Sequence, residues 1–117
     1  MPRRKAAQNV LIKPWLSARQ DCREGRFIQV GNSLLLNKRV QSLSAGAFRL
    51  YLGMCMESGG VQHFTFTHGD GRKYGVPNSS YDRYILELVE VGLVERVMDE
   101  NLSRFKPNEF RFIFTWK

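Results

Sequence analysis

Residues 73–94 read KYGVPNSSYDRYILELVEVGLV, and their pattern governs how the rest of the chain is understood. Tyr81, Ile85 and Leu88 fall at i, i+4 and i+7, the spacing of one buried helical face. Asn78, Ser79, Asp82, Arg83 and Glu87 then point away from that face. Pro77 cannot continue a preceding helix, and Gly75 tolerates the left-handed backbone that a tight turn needs. Gly92 closes the segment. The pattern predicts a helix-turn-helix whose second helix runs over Asn78–Val91. A helix packed on one side, polar on the other and entered through a turn is suited to lying in a major groove.

Working outward from this stretch, Thr67-His68-Gly69-Asp70 has capping-box spacing and starts a short helix ending near Tyr74. Before it, residues 63–67 (HFTFT) alternate and read as a strand. Residues 45–57 form a longer helix. Ser44 is its N-cap, Leu43 and Phe48 have the spacing of a hydrophobic staple, and the glycines after Ser58 end it. Phe48, Tyr51, Leu52 and Cys55 are expected as its main buried stripe. Leu50, Met54 and Met56 make it apolar nearly all round, so it should be central. Residues 26–36 read as extended chain bent at Gly31-Asn32, with Leu34, Leu35 and Leu36 buried, and residues 38–43 form one helical turn. After Gly92, residues 93–98 are a strand and residues 99–108 (DENLSRFKPN) a polar loop. Residues 109–116 then alternate, with Phe110, Phe112, Phe114 and Trp116 on one face and Arg111, Ile113 and Thr115 on the other.

The resulting order of helix, strand, helix, helix, strand, wing and strand is that of a winged helix, an α+β fold. The residues themselves carry a resemblance. SSYDRYILEL over residues 79–88, followed by GLV at 92–94, resembles the recognition-helix signature of bacterial winged-helix DNA-binding domains. FIQV at 27–30 and LSAGAFRLYL at 43–52 are similar to the N-terminal domain of plasmid replication initiators, an arrangement shared by phage replisome organisers and mobile-element proteins. The resemblance covers residues 26–117, leaving residues 1–25 as a basic N-terminal arm, whose apolar patch at Val10-Leu11-Ile12 and Trp15-Leu16 is expected to dock on the domain. It implies a three-helix core, a small antiparallel sheet and a β-hairpin wing. It departs from the family in one respect: those initiators carry a further domain after the winged helix, and this sequence ends at Lys117.

Charge is unevenly placed. Residues 1–49 hold ten Lys/Arg against two acids, a balance of +8, and residues 50–117 eight against nine, or −1, which together give the net +7. Such an excess, with a pI near 9.9, favours a polyanionic partner or an acidic protein surface. A chain of 117 residues suffices for one domain with its own core. No apolar run reaches the roughly 20 residues of a membrane span, and the start lacks the apolar centre of a signal peptide. Cytoplasmic location is the expectation. Cys22 and Cys55 read as free thiols, Cys55 the more buried, with a disulfide the minor reading.

Arg83, outward and one turn into the second helix, is the first candidate for a DNA contact, to phosphate or to the O6/N7 edge of guanine. A surface ion pair with Asp82 or Glu87 is the alternative. Asn78, Ser79 and Ser80 open that helix, where N–H groups and hydroxyls can hold a phosphate or simply cap the helix. Tyr84 either touches sugar-phosphate or is half-buried. Arg72 and Lys73 suit phosphate contact from the preceding helix, or a solvated face. Arg104 and Lys106 belong to the expected wing, whose field is mixed by Asp99, Glu100 and Glu109. Arg3, Arg4 and Lys5 resemble a minor-groove arm, or are a basic start without partner. The aromatic stripe at 110–116 fits a core face better than an RNA-stacking platform.

Catalysis has little support: there is no Walker loop, nucleotide-binding glycine fingerprint or nucleophile elbow. His63 and His68, with Cys55 and Asp70, match no zinc spacing, and no cofactor or metal is expected. The reading is a non-enzyme that binds double-stranded DNA. By resemblance, its setting is replication or maintenance of a plasmid, phage or integrated element, alongside replication or transcription proteins. A transcriptional regulator using the same mode is one alternative. A winged helix that binds protein only is another, favoured by Asp82, Glu87 and Glu90 on the second helix. A homodimer over two half-sites would have to use the N-terminal segment or a sheet edge.

Overall fold

The longest helices form where capping and periodicity agree. In the computed structural model, which describes residues 10–113, α3 spans Ala45–Ser58 and α5 spans Asn78–Val91. Around them lie β1 (Val10–Leu11), β2 (Arg23–Glu24), α1 (Asn32–Leu36), α2 (Lys38–Gln41), β3 (His63–Thr65), α4 (His68–Lys73), β4 (Val94–Asp99) and β5 (Arg104–Phe112). The architecture is α+β: helices α3, α4 and α5 pack together against an antiparallel sheet ordered β3-β5-β4, while β1 and β2 make a separate two-stranded ladder.

Ser44 starts α3 by accepting a hydrogen bond from the Ala47 N–H, and Gly59 ends it with φ 64°. Its buried residues are Ala47, Leu50, Gly53 and Met54, so the stripe is rotated from the expected Phe48, Tyr51, Leu52 and Cys55, which are only half-buried. A helix apolar on nearly every side does not select a face by periodicity; side-chain size does. Small Ala47 and Gly53 are buried, Gly53 against Tyr74, while Phe48 and Tyr51 form a rim, Tyr51 meeting Phe112 edge-on at 5.8 Å between ring centroids. At Gly53 a Cβ would come within 2.9 Å of Tyr74 Cγ and 3.2 Å of its Cβ, the rigid base of that side chain. At Gly46 it would meet the Tyr84 ring at 2.3 Å. Gly53→Ala should therefore cost about 1–3 kcal/mol through overpacking, read as a lower denaturant midpoint at unchanged slope.

The short helix α4 is held by the full capping box: Thr67 accepts from the Asp70 N–H, and Asp70 accepts from the Thr67 N–H. Its chain turns through Gly75 at φ 86° and buries Val76 before Pro77 opens α5. On α5, Tyr81, Ile85 and Leu88 are buried as their spacing predicts. Gly92 (φ 95°) releases the chain into buried Leu93 and Val94. These residues join Leu50, Met54, Phe64, Phe66 and Phe110 in one core. No helix of the described residues is long and apolar enough to cross a membrane.

Three expectations need correction. The predicted loop at 99–108 is mostly strand: Asp99 pairs with Arg104 and Met98 with Phe105, leaving residues 100–103 as the turn. Arg104 and Lys106 are thus strand residues. Pro107 and Asn108, which suggested a loop, lie where the β4–β5 register shifts, Asn108 at φ 62°. Proline lacks the N–H that a ladder needs, so it is accommodated at such an irregularity. Next, Leu34, Leu35 and Leu36 are helical. One turn turns only one of three consecutive side chains inward: Leu34 packs on the core, while Leu35 and Leu36 are 50% and 64% exposed. Finally, the patch at 10–16 does not dock: Val10, Leu11, Trp15 and Leu16 are exposed. Its hairpin closes on itself through Ser17 to Glu24 and Arg19 to Asp21. Phe114 and Trp116 of the expected stripe lie outside the described residues.

Candidate nucleic-acid interface

The face of α5 opposite the core is continuous and exposed. Ser79, Asp82, Arg83, Leu86 and Glu90 are all exposed along it. No side chain caps the start of α5, because Pro77 occupies the N-cap. The Ser80 and Tyr81 N–H groups bond back to the Pro77 carbonyl. Asn78 is engaged sideways, its Oδ1 accepting from Arg72 Nη1 at 2.8 Å, which ties α4 to the first turn of α5. The capping alternative for the Asn78 side chain is thereby replaced by a bridge between the two helices.

Among the described residues, Arg83 makes neither of the alternative ion pairs, with Asp82 or with Glu87. Its Nη2 donates to Ser80 Oγ at 3.3 Å, and its guanidinium lies 5.0 Å from the centroid of the Tyr84 ring. The ring is itself fixed, half-buried over Gly46. Ser80, Arg83 and Tyr84 therefore form one cluster in which the charge is oriented without being neutralised, a cation–π arrangement of modest energy.

Of the three acids that counted against an anionic partner, Glu87 is engaged, Asp82 lies beside His68 and Glu90 is exposed. Glu87 accepts from the Ser44 N–H at 2.8 Å and from Ser44 Oγ at 3.0 Å. Its negative charge thus sits at the N-terminus of α3, where the helix dipole favours it. Glu87→Ala should destabilise the fold by about 1 kcal/mol, with Glu87→Gln recovering part of the loss, as thermal unfolding would show. Asp82 lies 3.6 Å from His68 Nε2, whose ring packs against Tyr81 at 4.0 Å between centroids.

Lys73 faces elsewhere. Its Nζ is 2.6 Å from Glu57 Oε2, which also accepts from the Tyr74 hydroxyl at 2.6 Å. Those two hydrogen bonds, Lys73's the stronger influence, hold the Glu57 carboxyl below its ordinary range. Burial first, and then Glu57, push the Tyr74 hydroxyl up to about 12. Because the Glu57 pKa is depressed on folding, its stabilisation is complete above the ordinary value of about 4.3 and lost as pH falls through the lowered one. Glu57→Gln should flatten the acid limb of stability against pH, measured by chemical denaturation.

Of the residues singled out in the sequence, Arg72 and Asn78 come together, as do Ser80, Arg83 and Tyr84, with Ser79 exposed beside them. Lys73 is committed to Glu57. Arg104 stands opposite Asp99 at the end of the β4–β5 ladder, and Lys106 is half-buried two residues on. Arg3, Arg4 and Lys5 lie outside the described residues. Two residues of interest were missed. Arg49 donates from Nε to the Tyr74 carbonyl at 2.5 Å and lies against Gly75, bracing the turn; no local pattern announces it. Leu86 is 56% exposed on the polar face of α5, seven residues after Ser79, and that spacing could have revealed it.

His63 and His68 go to different acids, Glu109 and Asp82, and the described residues contain no group of three or more metal-ligating side chains. Both cysteines are free. Comparison with protein-family models, curated proteins and solved structures gives no match to this chain.

Proposed function

We propose that this protein is a winged helix that binds duplex DNA, with α5 in the major groove. The observation that carries the reading is the state of Arg83: exposed, steered by Ser80 and Tyr84, and without an acidic partner among the described residues, on the face of a helix directly opposite the core. A guanidinium held in this way is suited to phosphate or to the two acceptors of guanine. The order of α3, β3, α4, α5, β4 and β5 supports the assignment, with the β4–β5 hairpin as wing and the Arg72–Asn78 bridge beside the backbone. The net charge of +7 supplies the general attraction. The resemblance to replication initiators of plasmids, phages and mobile elements gives the setting, and a transcriptional role would use the same contacts.

Fluorescence anisotropy on a random duplex tests this reading. Binding should be present at low salt and fall steeply at moderate salt, since each neutralised phosphate releases counterions. Absent or salt-insensitive binding would leave the protein-only alternative.

A further inference from the structure

The exposed face of α5 holds two side chains that a phosphate-binding surface would not select. Leu86 is 56% exposed among polar neighbours, and Asp82, with its side chain 77% exposed, puts a carboxylate beside Arg83. Neither is needed for the core, which α5 fills with Tyr81, Ile85 and Leu88. Neither helps general affinity for a polyanion, and Asp82 opposes it.

Both fit base edges. Thymine presents a methyl group to the major groove, and an aliphatic side chain contacts it favourably. Cytosine and adenine present amino donors there, whereas guanine and the thymine carbonyl offer acceptors that repel a carboxylate. Asp82 and Leu86 are four residues apart, so they lie on the same side of α5 with about 6 Å of axial rise between them. That separation spans neighbouring base pairs. His68 limits the movement of the Asp82 carboxylate from the α4 side, at 3.6 Å, while its own ring rests on Tyr81.

We infer that Asp82 and Leu86 are specificity-determining residues, Asp82 selecting an amino-bearing base and Leu86 a thymine, on the same duplex that Arg83 contacts. The inference rests on the proposed DNA-binding role. Its physical content is discrimination: Asp82 lowers affinity for most sequences and spares those with a donor at one position, while Leu86 gains only where a methyl group meets it.

The test begins with the duplex that the wild-type chain recovers from a random pool. Deoxyuridine is then placed at each thymine in turn, removing only the methyl group. One substitution should weaken the wild type about three- to fivefold and leave Leu86→Ala unaffected. At one cytosine or adenine, exchange of the base pair should weaken the wild type about tenfold and Asp82→Ala far less. Both side chains are exposed, and unchanged thermal unfolding of the variants confirms that the fold is kept. The inference is overturned if every deoxyuridine acts alike on wild type and Leu86→Ala. It is equally overturned if Asp82→Ala tightens binding uniformly across sequences. Wild-type protein that shows no salt-dependent binding to any duplex would instead remove the DNA-binding reading itself, and this inference with it.

Discussion

Phe66→Ala is expected to cost about 3–5 kcal/mol of folding stability, a large part of the about 5–15 kcal/mol typical of a domain. Phe66 is fully buried, and α5 and β5 meet on it. Its ring stacks parallel to Tyr81 of α5 at 6.4 Å, and its carbonyl accepts from the Tyr81 hydroxyl at 3.3 Å. Its N–H donates to the Asn108 carbonyl at 2.8 Å, at the irregular part of β5. Truncation leaves a cavity between α5 and the sheet that neither can easily fill, because both are fixed by their own hydrogen bonds. Equilibrium denaturation would measure the loss. Phe66→Leu, which keeps most of the volume, should lose clearly less. Equal losses in the two variants would mean that the ring's shape and stacking matter more than the volume it fills.

Arg83→Ala should act in the opposite manner, leaving stability within about 0.5 kcal/mol of wild type while removing about 1–3 kcal/mol of discrimination between the selected duplex and random DNA. The side chain is exposed, and among the described residues its only links are to Ser80 and Tyr84, so the fold loses little. Arg83→Lys should not restore discrimination, because an ammonium cannot span two acceptors and loses the stacking of the planar group on Tyr84. Paired titrations of the two duplexes at one salt concentration give the difference directly. A loss that is equal on both duplexes would assign Arg83 to phosphate instead of a base edge.

Much of the architecture was legible because local signals agreed with one another. Capping at Ser44 and Thr67, the turn at Gly75-Val76-Pro77 and the Tyr81/Ile85/Leu88 face each needed only neighbouring residues. Two of the errors have a different origin, since they depend on contacts made far along the chain. Which face α3 buries is decided by Tyr74 and Tyr84 arriving over Gly53 and Gly46. Whether residues 104–108 are loop or strand is decided by pairing with β4, which outweighs the turn propensity of Pro107-Asn108. The N-terminal apolar residues look like a docking surface in composition, yet their hairpin satisfies its polar groups internally.

The candidate site divides in the same way. That Arg83 and Ser79 point outward follows from the helical period alone. That Glu87 serves the N-terminus of α3, 43 residues away in sequence, has no local signature, and it changes the electrostatic reading of α5. Lys73 shows the converse, a cation that sequence makes available and Glu57 takes up.

If the outward face of α5 is the surface that meets DNA, a backbone-amide NMR titration with short duplex should shift the amides of Ser79, Asp82, Arg83 and Leu86 together, saturating together, with Arg72 following. Shifts confined to the exposed apolar hairpin at 10–24, with α5 unmoved, would contradict that role.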